Sequence, residues 1–270
     1  MKVFISVVSH GHEKLILDLN CLEKLSQNDQ FEIVIKNNTP LKSDALNDLA
    51  SNNNIHLLDE SYGLGFGENN NYVFNWCCEN LNLKSTDWFL VLNPDVLVDS
   101  ASIVELVQAA QQSNIELATI NLYKDHEHTV YDNCVRKFPT LVDFISSYVG
   151  LGNKTILEKK KILKKQRVDW AAGSFLLFKS SLYHDLAGFD PNYFMYCEDI
   201  DICWRAQQLE GKSLVFYPEI KAIHFAEHAN RTLFSKHFIW HVKSMFRYLL
   251  ITYKIRKPYQ NNKVKTYFKR

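Results

Sequence analysis

VFISVVSHGH, residues 3–12, is the stretch that decides the fold. An apolar, β-branched run from Val3 to Val8 breaks into Ser9-His10-Gly11-His12, the pattern of a buried strand running out into a loop. Working outward, Leu15–Leu25 carries apolar residues at helical spacing. Phe31–Ile35 reads as a second short strand, closed by Asn37-Asn38-Thr39-Pro40. Residues 45–51 read as a helix, Ile55–Leu58 as a strand and Asn71–Asn80 as a helix, after a break at Gly63–Gly67. Trp88–Leu92 is a further buried strand, stopped by Asn93-Pro94-Asp95. Strands alternating with helices predict a mostly parallel, doubly wound α/β sheet. Ligands of such sheets bind beyond the carboxyl ends of the strands, where Ser9–His12, Asn37–Thr39 and Asn93–Asp95 all fall.

Beyond residue 100 the pattern loosens. Ser102–Ala110 reads as a helix, Leu117–Leu122 as a strand, and the lysine-rich Lys154–Arg167 as a solvated helix or loop. Val168–Phe178 is apolar around a central glycine, Asp199–Leu209 has helical spacing, and Ser213–Tyr217 and Ala222–Phe225 read as two strands. Residues 1–229 are expected to form one continuous domain, its regular part being about residues 1–100 and its less regular part about 101–229. Residues 230–270 are expected to be a basic helical appendage.

The charge distribution supports that division. Of 31 Lys and Arg, 11 lie between Asn230 and Arg270, which contains no acid; the rest of the chain carries 20 bases against all 30 acids. Such asymmetry suggests an electrostatic role for the tail. Its apolar stretch, Phe238–Tyr253, is interrupted by His241, Lys243 and Arg247 and cannot span a bilayer. Aromatic and cationic residues alternate there at helical spacing, which fits either a helix lying on an anionic membrane or one packed on its own domain. Six scattered cysteines without a CxxC fit a reducing cytoplasm, and the acidic body argues against nucleic acid as a partner.

Four constellations can carry chemistry. Asp95, ending a buried strand, is placed to hold Mg²⁺ or Mn²⁺ against a diphosphate, or simply closes a turn. Gly63-Leu64-Gly65-Phe66-Gly67-Glu68-Asn69-Asn70-Asn71 permits close backbone approach to a ligand, or is a glycine-rich turn with an Asn cap. Glu198, Asp199 and Asp201, with Arg205 one turn later, crowd three carboxylates into an aromatic frame. Such crowding raises a pKa and yields a general base, unless it only enriches the first turn of a helix. His224, at the end of an apolar strand, either ligates metal or phosphate or is structural, and Arg231 close behind suits a diphosphate.

Taken in order, VVSHGH, the Asn pair, GFGENNN, LNPD, DWAAGSFLL, GFDPNYFMYCEDIDICWR and IHFAEH resemble the GT-A, family 2 inverting glycosyltransferases over Val3 to about Arg231. The later segments, with FSKHFIWHVKSMFRYL, look like the rhamnosyltransferases of O-antigen assembly that act on an N-acetylglucosamine-diphospho-undecaprenol primer. The resemblance implies a divalent metal, a dTDP-L-rhamnose donor and a lipid-diphosphate acceptor at the inner membrane face. It implies that Asp95 holds the metal, with Asn93 at the first position of a DXD-like element and His224 completing the site. Asp199 becomes the base, oriented by Glu198 and Asp201. Ser9, His10, Asn37, Gly65, Asn70, Asn71, Trp170, Gly173, Arg205 and Arg231 become contacts of the nucleotide sugar or its acceptor. Many relatives carry Asp where Asn37 stands; an amide cannot accept two hydrogen bonds as a carboxylate can, which leaves the base open. A same-fold transferase of another sugar, such as galactose, glucose, fucose or N-acetylglucosamine, and a sugar-nucleotide-binding scaffold without turnover are the rival readings. The retained carboxylates argue against the scaffold.

Overall fold

The computed structural model describes residues 1–41, 43–226 and 236–260. In chain order these form β1 (Val3–Ser9), α1 (Glu13–Leu19), α2 (Cys21–Ser26), β2 (Phe31–Asn37), α3 (Asp44–Leu49), β3 (Ile55–Leu58), α4 (Phe66–Asn80), β4 (Trp88–Leu92), β5 (Val96–Leu97) and α5 (Ser100–Gln112). They continue with β6 (Leu117–Tyr123), β7 (Val135–Arg136), α6 (Leu141–Tyr148), a 3₁₀ turn (Lys159–Lys161), β8 (Gln166–Val168), β9 (Trp170–Ala171) and β10 (Phe175–Lys179). The last elements are α7 (Ser180–Asp185), α8 (Glu198–Leu209), β11 (Leu214–His224) and α9 (Lys236–Thr252).

The main sheet has the order β3-β2-β1-β4-β10-β6-β11-β5, with β8 also paired to β11, while β7 and β9 form a small separate ribbon. Every residue of β2, β4 and β6 is buried, as near-continuous apolar strands covered on both faces require. The first four strands in this order are mutually parallel. β10 then enters antiparallel to both β4 and β6.

That reversal builds the rim where chemistry can occur. Ser9 pairs with Asn37, Val7 with Leu92, and Leu92 with Phe175, so the ends of β1, β2 and β4 meet the start of β10. His224 pairs with Val96, which brings the end of β11 to the same rim. Residues 9, 37, 93–95, 173–174 and 224 are thereby gathered from five strand ends.

Several local expectations need correction. The helix expected over 15–25 is broken at Asn20, which takes a left-handed φ of 47° that an Asn side chain tolerates. α4 begins at Phe66, five residues before the expected Asn71, because Gly65 is its N-cap and the Phe66 N–H donates to the Phe194 carbonyl at 3.1 Å. The Asn row therefore lies inside the helix and does not cap it. The two strands expected over 213–225 are one, irregular between Tyr217 and Lys221. Lys159, expected in solvent, is buried, its ammonium donating to the Leu122 carbonyl and lying against the Tyr131 and Phe216 rings.

α9 packs on the body of the protein, burying Ser244, Met245, Tyr248, Leu249 and Ile251. Ser244 donates to the Met195 carbonyl at 2.9 Å, and Arg247 pairs with the fully buried Asp190. No helix among the described residues is long and apolar enough to cross a membrane.

Candidate active site

At the end of β4, Asp95 stands beside His224 of β11, with Asp95 Oδ1 and His224 Nε2 3.3 Å apart. The approach is in ion-pair range but outside hydrogen-bonding geometry, so the buried Asp95 Oδ1 has no hydrogen-bond partner. The other ring nitrogen of His224, Nδ1, is 2.6 Å from Asp132 Oδ2. Burial by itself disfavours the imidazolium, yet the Asp132 hydrogen bond and the charges of Asp95 and Asp132 outweigh it and raise the His224 pKa to about 9. The rim thus has an imidazole fixed by a carboxylate behind it, the arrangement that orients metal-binding histidines.

Across the rim, α8 starts under backbone strain. Tyr196 and Cys197 both take left-handed φ values, 71° and 63°, and neither is glycine. Consecutive residues in that region persist only where surrounding structure holds them, and such sites cluster at functional positions. The turn launches Glu198 and Asp199. Asp199 Oδ1 accepts from the Ile200 N–H at 2.8 Å, and Oδ2 accepts from the Gly173 N–H at 3.3 Å. Burial raises the Asp199 pKa to about 6, against the pull of those N–H groups and of the Arg136 charge. Glu198 is buried more completely and its Oε2 lacks a partner; burial and then the Asp199 charge push it far above the usual carboxylate range. Two adjacent carboxyls forced apart in this way divide the labour: Glu198 keeps a proton and Asp199 carries the charge.

Asp95 and Asp199 are tied to one dipeptide. The Asn93 N–H donates to the Ser174 carbonyl at 3.0 Å, and the neighbouring Gly173 N–H donates to Asp199. Gly173 itself leaves no room for a side chain, since a Cβ there would meet the Phe66 ring at 2.7 Å. One closely packed turn before β10 thus holds both ends of the candidate site.

Other expected contacts have different surroundings. Arg205, expected at the nucleotide sugar, and Asp201, expected to orient the base or acceptor, are both fully buried. Arg205 Nε donates to Asp201 at 2.7 Å, and its two terminal nitrogens donate to the carbonyls of Leu186 and Gly188. The pair pins the 186–188 turn from inside the core. Removing one partner of a buried pair strands the other's charge, so Arg205→Met is expected to cost about 3–5 kcal/mol. Urea unfolding measures this, and joint replacement of Asp201 by Leu should restore part of the loss.

Asn70 and Asn71, expected beside the sugar nucleotide, have their amides engaged within the protein. Asn70 accepts from Ser6 Oγ at 2.7 Å and donates to the Phe66 carbonyl, while the Asn71 amide clamps both the N–H and the carbonyl of Phe189 at 2.8 Å. Gly65 is packed so closely that a Cβ would lie 2.4 Å from the Phe194 carbonyl, so its openness serves chain contact. Asn37 is buried with its polar atoms engaged: its Nδ2 donates to Asp59 and the Leu41 carbonyl, and its Oδ1 accepts from Thr39. Ser9 Oγ accepts from the His12 N–H, and His10 is exposed at the loop. Trp170 is buried, donates to the Lys137 carbonyl at 2.8 Å and supports the Arg136 guanidinium, 5.4 Å from its ring centroid. Arg231 lies outside the described residues.

Asp132 and Arg136 were not singled out in the sequence. Both lie before and within the short β7, in a stretch without a motif, and gain meaning only from His224, Trp170 and Asp199.

Residues 44–247 match the model of the family described as "Glycosyltransferase like family 2". The chain is 40% identical over 249 residues to the rhamnosyltransferase WbbL of Escherichia coli, covering 92% of each protein. The chain belongs to glycosyltransferase family 2. It is also 29% identical over 208 residues to the N-acetylglucosaminyl-diphospho-decaprenol L-rhamnosyltransferase of Mycobacterium tuberculosis, covering 73% of this chain and 67% of that one. Among solved structures it resembles the mannosyltransferase PcManGT of Pyrobaculum calidifontis, solved with GDP-Man and Mn²⁺. The TM-score is 0.59 at 14% identity, over 96% of this chain and 66% of that one. That likeness supports the glycosyltransferase fold.

Proposed function

We propose that this family 2 glycosyltransferase is an inverting rhamnosyltransferase, moving L-rhamnose from dTDP-L-rhamnose to N-acetylglucosamine on a polyprenyl diphosphate at the cytoplasmic membrane face. The sugar and acceptor follow the names of the two relatives. The chemistry rests chiefly on one observation: the Gly173–Ser174 turn is bonded to both Asn93, two residues from Asp95, and Asp199.

A divalent cation fits the residues present. Among the described residues no three His, Cys, Asp or Glu side chains converge as a metal cage. Two side chains can donate, Asp95 Oδ1, which has no hydrogen bond, and His224 Nε2 once the cation displaces its proton. Mg²⁺ and Mn²⁺ commonly take one or two protein donors and complete their shells with phosphate and water. Bound there, the cation would neutralise charge on the departing nucleoside diphosphate. Asp132 holds the His224 ring from behind, leaving Nε2 toward Asp95. On the acceptor side, Asp199 takes the proton from the attacking hydroxyl, which displaces the diphosphate from the opposite face and inverts the anomeric centre. Gly173 and Ile200 hold the carboxylate that receives this proton.

The base works as a carboxylate, so activity is present above its pKa and lost below it. Since the Asp199 pKa is raised to about 6, kcat/KM should hold near neutrality and fall about tenfold per unit at lower pH. A profile flat down to pH about 4.5 would take Asp199 out of this role. The identity of the reaction is tested by incubating the protein with dTDP-L-rhamnose, Mg²⁺ and a lipid-diphosphate N-acetylglucosamine analogue and weighing the product. A donor panel read by nucleotide release accompanies it; release from a different sugar nucleotide alone would replace rhamnose in the proposal.

A further inference from the structure

α6 and α9 meet along an aromatic seam. Phe144 packs against Tyr248 and His241, and Tyr148 against Phe238 and His241. Of α6, only Phe144 is buried. On α6 and the turn after it, Val142, Ile145, Val149 and Leu151 are 69%, 52%, 62% and 74% exposed. On α9, Ile239 and Phe246 are 48% and 55% exposed and repeat at a spacing of seven residues, two helical turns. At 100° per residue, Ile145 and Val149 sit one step around from Phe144 and Tyr148, and Ile239 one step from Phe238. Exposed apolar side chains thus flank the seam from both helices. Exposed apolar side chains clustered beside one helix–helix seam mark an interaction site.

Charge indicates the partner. Lys137 and Lys154 are exposed on either side of α6, and Lys243 is exposed on α9. The single acid between residues 137 and 154, Asp143, is engaged in the Thr140 capping box. Residues 236–260 contain six bases and no acid. Apolar side chains rimmed by cations complement an anionic lipid surface.

We propose that α6 and the outer face of α9 together form the surface by which this protein docks on an anionic bilayer. The anchor therefore includes a mid-chain helix, α6, as well as α9. The inference rests on the lipid-linked acceptor proposed above and gives it a geometry. α9 also holds the segment that launches Asp199: Trp240 packs on Phe194 with centroids 4.7 Å apart, and the Tyr196 hydroxyl lies 3.1 Å from His237 Nδ1. A bilayer seated on these helices would present an acceptor headgroup beside the base.

The test is co-sedimentation of the full chain with vesicles of phosphatidylglycerol and phosphatidylcholine, and with phosphatidylcholine alone, comparing wild type with Val142→Glu/Val149→Glu. The wild type is expected to bind the anionic vesicles preferentially, and the double substitution to weaken that binding by about tenfold or more. Both positions are exposed, so the melting temperature and turnover on a short-chain, water-soluble acceptor should stay unchanged. Equal binding by the variant, absence of wild-type binding, or equal binding to the neutral vesicles overturns the proposal. So does a wild-type dimer that the substitutions dissociate, since a second copy is then the occupant. Failure of turnover on the soluble acceptor by the wild type would count against the proposed reaction and leave the vesicle result standing.

Discussion

Asp199→Asn is expected to lower turnover by about 10²–10⁴ while donor binding survives, the range that positioned general-base help supplies. The amide retains the size of the carboxylate and one carbonyl oxygen for the Gly173 or Ile200 N–H groups that now hold Asp199. It cannot take up a proton. The neighbouring Glu198 does not substitute readily, because burial and the adjacent charge keep it protonated. Removing the Asp199 charge relieves part of that pressure, so residual activity that appears only at elevated pH would identify Glu198 as a weak understudy. One N–H loses its acceptor in the variant, which is expected to reduce stability by about 1 kcal/mol. Thermal unfolding separates that small loss from the catalytic one, and calorimetry of the donor checks that its site is intact. Turnover near wild type would remove Asp199 from the mechanism.

The parts of the fold legible in sequence were those decided locally. Trp88–Leu92 coincides with the observed strand because an unbroken apolar run has few alternatives once a sheet is covered on both faces. The start of α4 was not legible, since glycine and asparagine are poor helix formers and the first turn is held by a carbonyl from residue 194, far along the chain. The same separation hid part of the candidate site. Asp132 and His224 stand 92 positions apart, and nothing in the sequence around Asp132 announces a partner. Proximity in sequence misled in the opposite direction at residues 198–205. Four charged side chains within about two helical turns read as one constellation, yet helical periodicity sends Asp201 and Arg205 to the core and leaves Asp199 at the rim. The asparagines of α4 illustrate the same limit: an amide suited to a sugar hydroxyl is equally suited to clamping a neighbouring backbone, and only the location of Phe189 distinguishes the two.

Asp95→Ala is expected to abolish metal-dependent donor binding, a larger effect than any substitution behind the site. Asp95 contributes a buried, unpartnered oxygen at the end of β4, where its own carbonyl accepts from the Phe225 N–H and secures the end of β11. The substitution leaves that backbone contact in place, so the rim should persist while the anionic donor is lost. His224 keeps Asp132, although with one carboxylate removed its pKa should move down from about 9. Neutral imidazole would then be more available to a cation, which raises the question whether His224 alone suffices. It does not suffice on this reasoning, because a hard divalent ion facing a diphosphate prefers an oxygen anion over a lone imidazole. Asp132→Asn provides the graded comparison: it spares both donors but loosens the ring, and supporting partners of this kind are worth about 10–100-fold in metal affinity. Calorimetric titration of Mn²⁺, and of dTDP-L-rhamnose with and without Mn²⁺, reads both variants without relying on turnover. The expected order is wild type, then Asp132→Asn, then Asp95→Ala with no metal-dependent component. Wild-type donor affinity in Mn²⁺ for Asp95→Ala would move the cation, and with it the leaving group, to another part of the rim.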